Sequence, residues 1–289
     1  MSLHSIRFCF KAARGDKKRD AAIAFPNGVR EYRNISYGDH GKDNLLDVYC
    51  PEETSETLPT IVSIHGGGYV YGTKELYRRY GMDMAKRGFT FVNFNYRLAP
   101  KWKFPTPLID TNAVMEWVVQ NASRYHLDPQ RIFLVGDSAG AQIASQYAAM
   151  QTNPEYGKLF GLKLANIHIR AVGLNCGLYD LKEMGALPRK GMHRDYFGKL
   201  PMDDPRFCCL ESITDKFPPT FLTTGNGDFL RELARPMYEH LRSRAVEAKF
   251  TCYGAEGAVN VRHVFHVNIL LPEAIQCNDD AAAFFRRYL

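Results

Sequence analysis

The sequence holds no apolar run approaching the ~18 residues of a membrane-crossing helix, so no membrane span is expected. It has no C-x-x-C pair, which makes a structural zinc site or a thioredoxin-like couple a poor reading of its seven cysteines, Cys9, Cys50, Cys176, Cys208, Cys209, Cys252 and Cys277. Their odd number and scatter suit free, mostly buried thiols in a reducing compartment. The first residues do not read as a signal peptide, because His4, Arg7 and Lys11 interrupt any apolar stretch. A soluble, cytoplasmic protein is the expectation. There is no long stripe of one charge either. The net charge of +6 and pI of about 8.9 come from short groups such as Lys17-Lys18-Arg19, Arg78-Arg79 and Arg286-Arg287. No nucleic-acid motif accompanies them, so they read as solvated faces and no nucleic-acid partner is expected. Internal repeats and low-complexity tracts are missing as well.

What is present is an ordinary globular composition, 45% hydrophobic and 24% charged over 289 residues, enough for one large α/β domain. Thr60 to Ile64 is a compact β-branched run of the kind buried on both faces of a sheet. Apolar runs at Leu45 to Val48, Phe89 to Asn95, Arg131 to Val135, Ile169 to Leu174, Thr220 to Thr224 and Lys249 to Tyr253 predict further strands. Helical spacing over Tyr77 to Arg87, Ile109 to Tyr125, Ala139 to Met150 and Arg231 to Ala245 predicts the helices between them, and Asn278 is read as the N-cap of a closing helix. Such alternation predicts a mostly parallel central sheet with helices on both faces. Two segments stand outside it: residues 1–40, and an insertion at 177–215 containing Pro188, Pro201 and Pro205. Both are expected to form a small cap over the C-terminal edge of the sheet, where open α/β sheets place their ligands, within a single domain of residues 1–289.

Two glycine motifs carry the chemistry. Gly136-Asp137-Ser138-Ala139-Gly140 lies between a predicted strand and a predicted helix, the context in which G-x-S-x-G forms a sharp turn exposing its serine. The Ser138 hydroxyl then sits at a helix N-terminus that favours developing negative charge. Asp137 reads as a structural partner of nearby backbone. His65-Gly66-Gly67-Gly68-Tyr69 follows the Thr60 to Ile64 strand, and its bare N–H groups can approach a substrate oxygen closely. No G-K-[ST] follows, which disfavours a phosphate loop. A tetrahedral oxyanion needs two or three preorganised donors; Gly67, Gly68 and Ala139 can supply them, with His65 shaping the loop.

These two motifs, with Tyr96-Arg97-Leu98-Ala99-Pro100 between them, make the chain resemble the hormone-sensitive-lipase family of carboxylesterases over about residues 45–270. The resemblance implies an α/β-hydrolase fold, a Ser-Asp-His triad, a cap, and neither metal nor organic cofactor. It assigns the acid to Asp228 of Asp228-Phe229-Leu230-Arg231-Glu232, with Phe where the family carries Pro. The family's H-G-F pattern aligns with His263-Val264-Phe265, which favours His263 as base and leaves His266 as the alternative; Val264 replaces the family's glycine. The expected function is hydrolysis of short- to medium-chain or aryl esters through an acyl-enzyme on Ser138. Amide hydrolysis of the arylformamidase kind shares this machinery and stays open, as does a non-catalytic binder on the same fold. Tyr69 is the candidate substrate contact, with Tyr71, Tyr196 and Phe197 as further lining candidates. A small-molecule ester is the expected partner, and an edge-strand homodimer is compatible with such a fold.

Overall fold

The computed structural model describes residues 1–181, 190–201 and 203–289, so Pro188 of the insertion lies outside the described residues. Eight strands form one sheet: β1 (Val29–Ser36), β2 (Leu45–Pro51), β3 (Thr60–Ile64), β4 (Thr90–Phe94), β5 (Ile132–Asp137), β6 (Ile169–Asn175), β7 (Thr220–Gly225) and β8 (Ala248–Tyr253), in the order β1-β2-β4-β3-β5-β6-β7-β8. The β1–β2 and β2–β4 pairs are antiparallel and the other five are parallel. Among the described residues the helices are α1 (Leu3–Ala21), α2 (Arg78–Ala85), α3 (Thr106–Asn121), α4 (Ala139–Thr152), α5 (Pro154–Lys158), α6 (Gly191–Phe197), α7 (Arg231–Ser243) and α8 (Pro272–Arg286). This is the α/β-hydrolase architecture.

Strands β3, β4 and β5 are buried at every position, because helices cover both faces. On one face α3, α4 and α7 bring Val114, Trp117, Ile143, Met237 and Leu241 against Val62, Leu134 and Leu222. On the other, α2 and α8 bring Tyr80, Met84, Phe284 and Phe285 against Ile61, Phe133 and Phe221.

Two expectations need correction. Residues 1–40 are not all cap, since β1 is the edge strand of the sheet. Its burial pattern is shallow and its polar residues gave no strand signal; pairing with β2 holds it. The closing helix starts at Pro272 rather than Asn278, because Pro at the first helical position costs no hydrogen bond. Asn278 lies inside α8, buried, and its Nδ2 donates to the carbonyl of His266 and to Asp83.

Candidate active site

Ser138 occupies the turn from β5 into α4 with φ 52° and ψ −120°, a conformation that L-residues avoid. Holding a non-glycine residue there costs on the order of 1–3 kcal/mol, which the surrounding packing must offset. Gly140 shows what enforces the turn: a Cβ there would stand 2.1 Å from the carbonyl oxygen of Ile64. The elbow therefore presses directly on the end of β3. Ser138 makes no side-chain capping bond to α4, and its N–H donates to Asn175 O at 3.0 Å, tying it to the end of β6.

The loop after β3 faces this turn. Gly67 has φ 112°, and a Cβ on it would meet the Tyr71 carbonyl at 2.1 Å, so no other residue fits. Among the described residues, the N–H groups of Gly67, Gly68 and Ala139 donate to no acceptor. His65 is fully enclosed. Its Nδ1 donates to Gly66 O at 2.7 Å, its ring stacks on Tyr96 at 4.2 Å, and burial pushes its pKa down to about 4. Tyr96 also donates to His65 O at 3.0 Å, and Ala99 N–H donates to Tyr69 O. The Tyr96–Pro100 motif is thus the cradle of the glycine loop. Arg97 pins that cradle through a bidentate pair with Asp110.

A second tether runs through Asp137. Tyr77 donates its hydroxyl proton to Asp137 Oδ2 at 2.8 Å and accepts the Gly66 N–H at 3.0 Å. The residue before Ser138 is thereby linked to the first glycine of the loop by one buried tyrosine. Burial pushes the Asp137 carboxyl up to about 7, with the Tyr77 hydroxyl and His263 opposing it.

Asp228 and His263 come together from the loops after β7 and β8. His263 Nδ1 donates to Asp228 Oδ1 at 2.7 Å, leaving Nε2 for other chemistry. The carboxylate also accepts from Leu230 N–H and the Thr224 hydroxyl, each at 2.9 Å. Burial raises the Asp228 pKa, but the His263 bond and charge and the Leu230 N–H outweigh it, and the carboxyl ends below its ordinary value. Cys176, which follows β6, accepts the Val264 N–H on Sγ and so joins this loop to the strand that anchors Ser138. His266, three residues on, is only 1% exposed and packs edge-on to Tyr80, with its pKa pushed down to about 3 by burial. It belongs to the core.

The ligand atoms of Cys176, Asp228 and His263 lie within 4.8 Å of one another, a spacing a metal ion could bridge. Their chemistry does not suit one. The Asp228 oxygens already accept three bonds, and burial raises the Cys176 pKa well above its ordinary value, keeping the thiol protonated. A cavity of about 520 Å³ lined by Arg170, Lys216 and Arg287 lies among residues flanking the opposite, N-terminal ends of β6 and β7, away from this cluster.

Tyr69, expected to contact substrate, is 2% exposed. Its ring stacks on Tyr196 at 3.8 Å and its hydroxyl donates to Gln142. It fastens the glycine loop to α6 and α4, and both aromatic faces and hydroxyl serve packing. Sequence reasoning could not see this, because Tyr196 is 127 positions away and no periodicity joins them. It also did not find the Tyr77 tether, whose only signal was a tyrosine inside a helical pattern.

The fold and this edge are those of the α/β-hydrolase class. The family model described as alpha/beta hydrolase fold matches residues 61–266, and the chain belongs to this hormone-sensitive-lipase-like family. It is 29% identical over 230 residues to an alpha/beta hydrolase of Acanthamoeba polyphaga mimivirus, covering 76% of this chain and 65% of that protein. It is 27% identical over 265 residues to the acetyl esterase of Salmonella paratyphi B, covering 84% and 76%. The chain thus spans less than two thirds of the mimivirus protein's length. Among solved structures, inhibited esterase B from Lactobacillus rhamnosis superposes with a TM-score of 0.83 over 98% of this chain and 95% of its own, at 23% identity. A bacterial heroin esterase does so with a TM-score of 0.75 over 100% and 94%, at 24% identity.

Proposed function

We propose that the chain is a serine carboxylesterase in which Ser138 is the nucleophile, His263 the general base and Asp228 the acid that orients it. The observation that carries this reading is the Asp228–His263 bond on the loops after β7 and β8, at the same edge of the sheet as a serine held at φ 52° at a helix N-terminus. Nδ1–H donated to a buried carboxylate fixes the tautomer that leaves Nε2 able to take the Ser138 proton. Ser138 Oγ attacks the ester carbonyl, and the N–H groups of Gly67, Gly68 and Ala139 receive the oxyanion. His263 returns the proton to the leaving alcohol. Water repeats the sequence on the acyl-enzyme and frees the acid.

Esters are the favoured substrates because relatives include an acetyl esterase, and the fold neighbours include esterases. The cap segments α1 and α6, packed on Tyr71 and Tyr69 after β3, limit the acyl group. All seven cysteines are free, which supports a reducing, cytoplasmic setting. The test is hydrolysis of p-nitrophenyl esters from acetate to decanoate by the wild type and Ser138→Ala. The wild type should show an optimum at short chains, and the variant should lose about 10⁴-fold or more. A wild type inactive on every ester, or an active Ser138→Ala, defeats the reading.

A further inference from the structure

Helix α1 touches the glycine loop with one face and solvent with the other. Its inward face carries Ser5, Phe8, Cys9, Asp16 and Arg19. Phe8 meets the Tyr71 ring edge-on at 6.3 Å, Cys9 Sγ donates to Val70 O, Asp16 accepts from the Tyr71 hydroxyl, and Arg19 donates to Leu76 O. The outward face is unusual in being apolar. Leu3, Ile6 and Phe10, spaced as one helical stripe, are 64%, 51% and 74% exposed. Arg7, Lys11, Arg14 and Lys18 form the adjoining stripe at the same spacing, all exposed and without an ion pair among the described residues. The helix acids Asp16 and Asp20 lie on other sides and are engaged by Arg19. Exposed Lys190 and Arg194 of the neighbouring cap segment add positive charge beside α1.

We propose that this face of α1 seats the protein on an anionic lipid surface, with Leu3, Ile6 and Phe10 entering the acyl boundary and the basic row meeting the headgroups. An apolar stripe flanked by cations is the pattern of helices that lie in the plane of a membrane interface. Charge complementarity selects the occupant: a second copy would set one basic row against another, whereas an anionic bilayer neutralises it. The seated helix is also the one packed on the glycine loop, so an ester dissolved in the lipid would be about one helix diameter, roughly 10 Å, from that loop. The choice of lipid-borne esters as substrates rests on the esterase reading; the docking itself does not.

The experiment is co-sedimentation of the purified protein with vesicles of pure phosphatidylcholine and with vesicles containing about one-third phosphatidylglycerol, at about 0.1 M salt. Binding is expected to the anionic vesicles only. Lys11→Gln/Arg14→Gln/Lys18→Gln should weaken it on the order of a hundredfold, at about one kcal/mol per cation, and Phe10→Ser by about tenfold or more. Hydrolysis of soluble p-nitrophenyl acetate should be unchanged in both variants, which shows that they fold. Binding to neither vesicle, binding indifferent to both variants, or self-association through α1 without vesicle binding each overturns the proposal. Vesicle binding by a protein inactive on esters keeps the docking and removes the esterase reading.

Discussion

The two sides of the candidate site are built by different means. The sheet side stores strain. Of the seven non-glycine residues with positive φ among those described, four lie on loops at its C-terminal edge: Tyr69, Ser138, Cys176 and Val264. They follow β3, β5, β6 and β8; the first three of these strands have a strand on either side, and β8 is the edge strand beside the buried β7. Among the described residues, the cap side stores none. No such residue occurs in α1 or α6, and polar contacts at the start of α1 hold the two together. Ser2 N–H and the Ser5 hydroxyl both donate to Asp195 Oδ2 at 2.7 Å. Strain survives only where neighbours over-determine the backbone. On the proposed reading, chemistry falls to the rigid edge and selectivity to the lightly attached cap.

The largest expected effect sharpens this contrast with two histidines three residues apart. His263→Ala should lower kcat by about 10⁴-fold and leave stability nearly unchanged, since its side chain is 22% exposed. His266→Ala should do the reverse, removing an aromatic contact with Tyr80 and costing about 2 kcal/mol or more while kcat stays within severalfold. Steady-state kinetics and thermal melts on the same two proteins decide it. A large kcat loss in His266→Ala with His263→Ala active would exchange their roles.

How far the sequence displayed this arrangement follows the same division. The parallel strands were visible because burial on both faces leaves uninterrupted β-branched runs such as Thr60 to Ile64. The elbow and the glycine loop were visible because close backbone approach admits only glycine, so geometry is written into residue type. At Val264 that writing is blurred: the structure puts a β-branched residue at φ 57°, where the resembling family carries glycine. The cap was visible only as what failed to alternate. β1 was hidden because an edge strand needs no apolar alternation once its partner supplies the hydrogen bonds. The Tyr69–Tyr196 stack and the Tyr77 tether were hidden because each depends on a partner distant in sequence.

A smaller effect tests the rigid side through pH. Asp137 has its folded pKa raised from 3.8 to about 7. The folded state therefore binds more protons than the unfolded one in that window. Its contribution to stability is fully present below about pH 4 and is lost as pH rises through about 7. His266, lowered from 6.5 to about 3, acts oppositely and loses its contribution as pH falls through that range. Asp137→Asn should remove the first trend alone, so that stability, measured by denaturant titration from pH 4 to 8, rises more steeply with pH than in the wild type. An unchanged profile would mean that the carboxylate is better solvated than the enclosure around Tyr77 allows.

The smallest effect falls on the cap, and it can break the comparison outright. Burial raises the Asp195 pKa, but the Ser2 N–H and the serine hydroxyls outweigh it and hold the carboxyl below its ordinary value. Ser5→Ala removes one of these charge-assisted bonds, worth about 1.5 kcal/mol. If α1 is attached as a separate unit, that loss appears locally. Amide exchange in residues 3–21 should speed up about tenfold while β3, β5 and α4 keep their protection and the melting temperature barely moves. KM for longer esters should shift severalfold at nearly constant kcat for acetate, because the chemistry sits on the other side. Should protection fall across β3 and β5 by the same factor, α1 opens only with the whole fold. The cap would then be part of one cooperative structure, and selectivity could not be tuned there without loss of global stability.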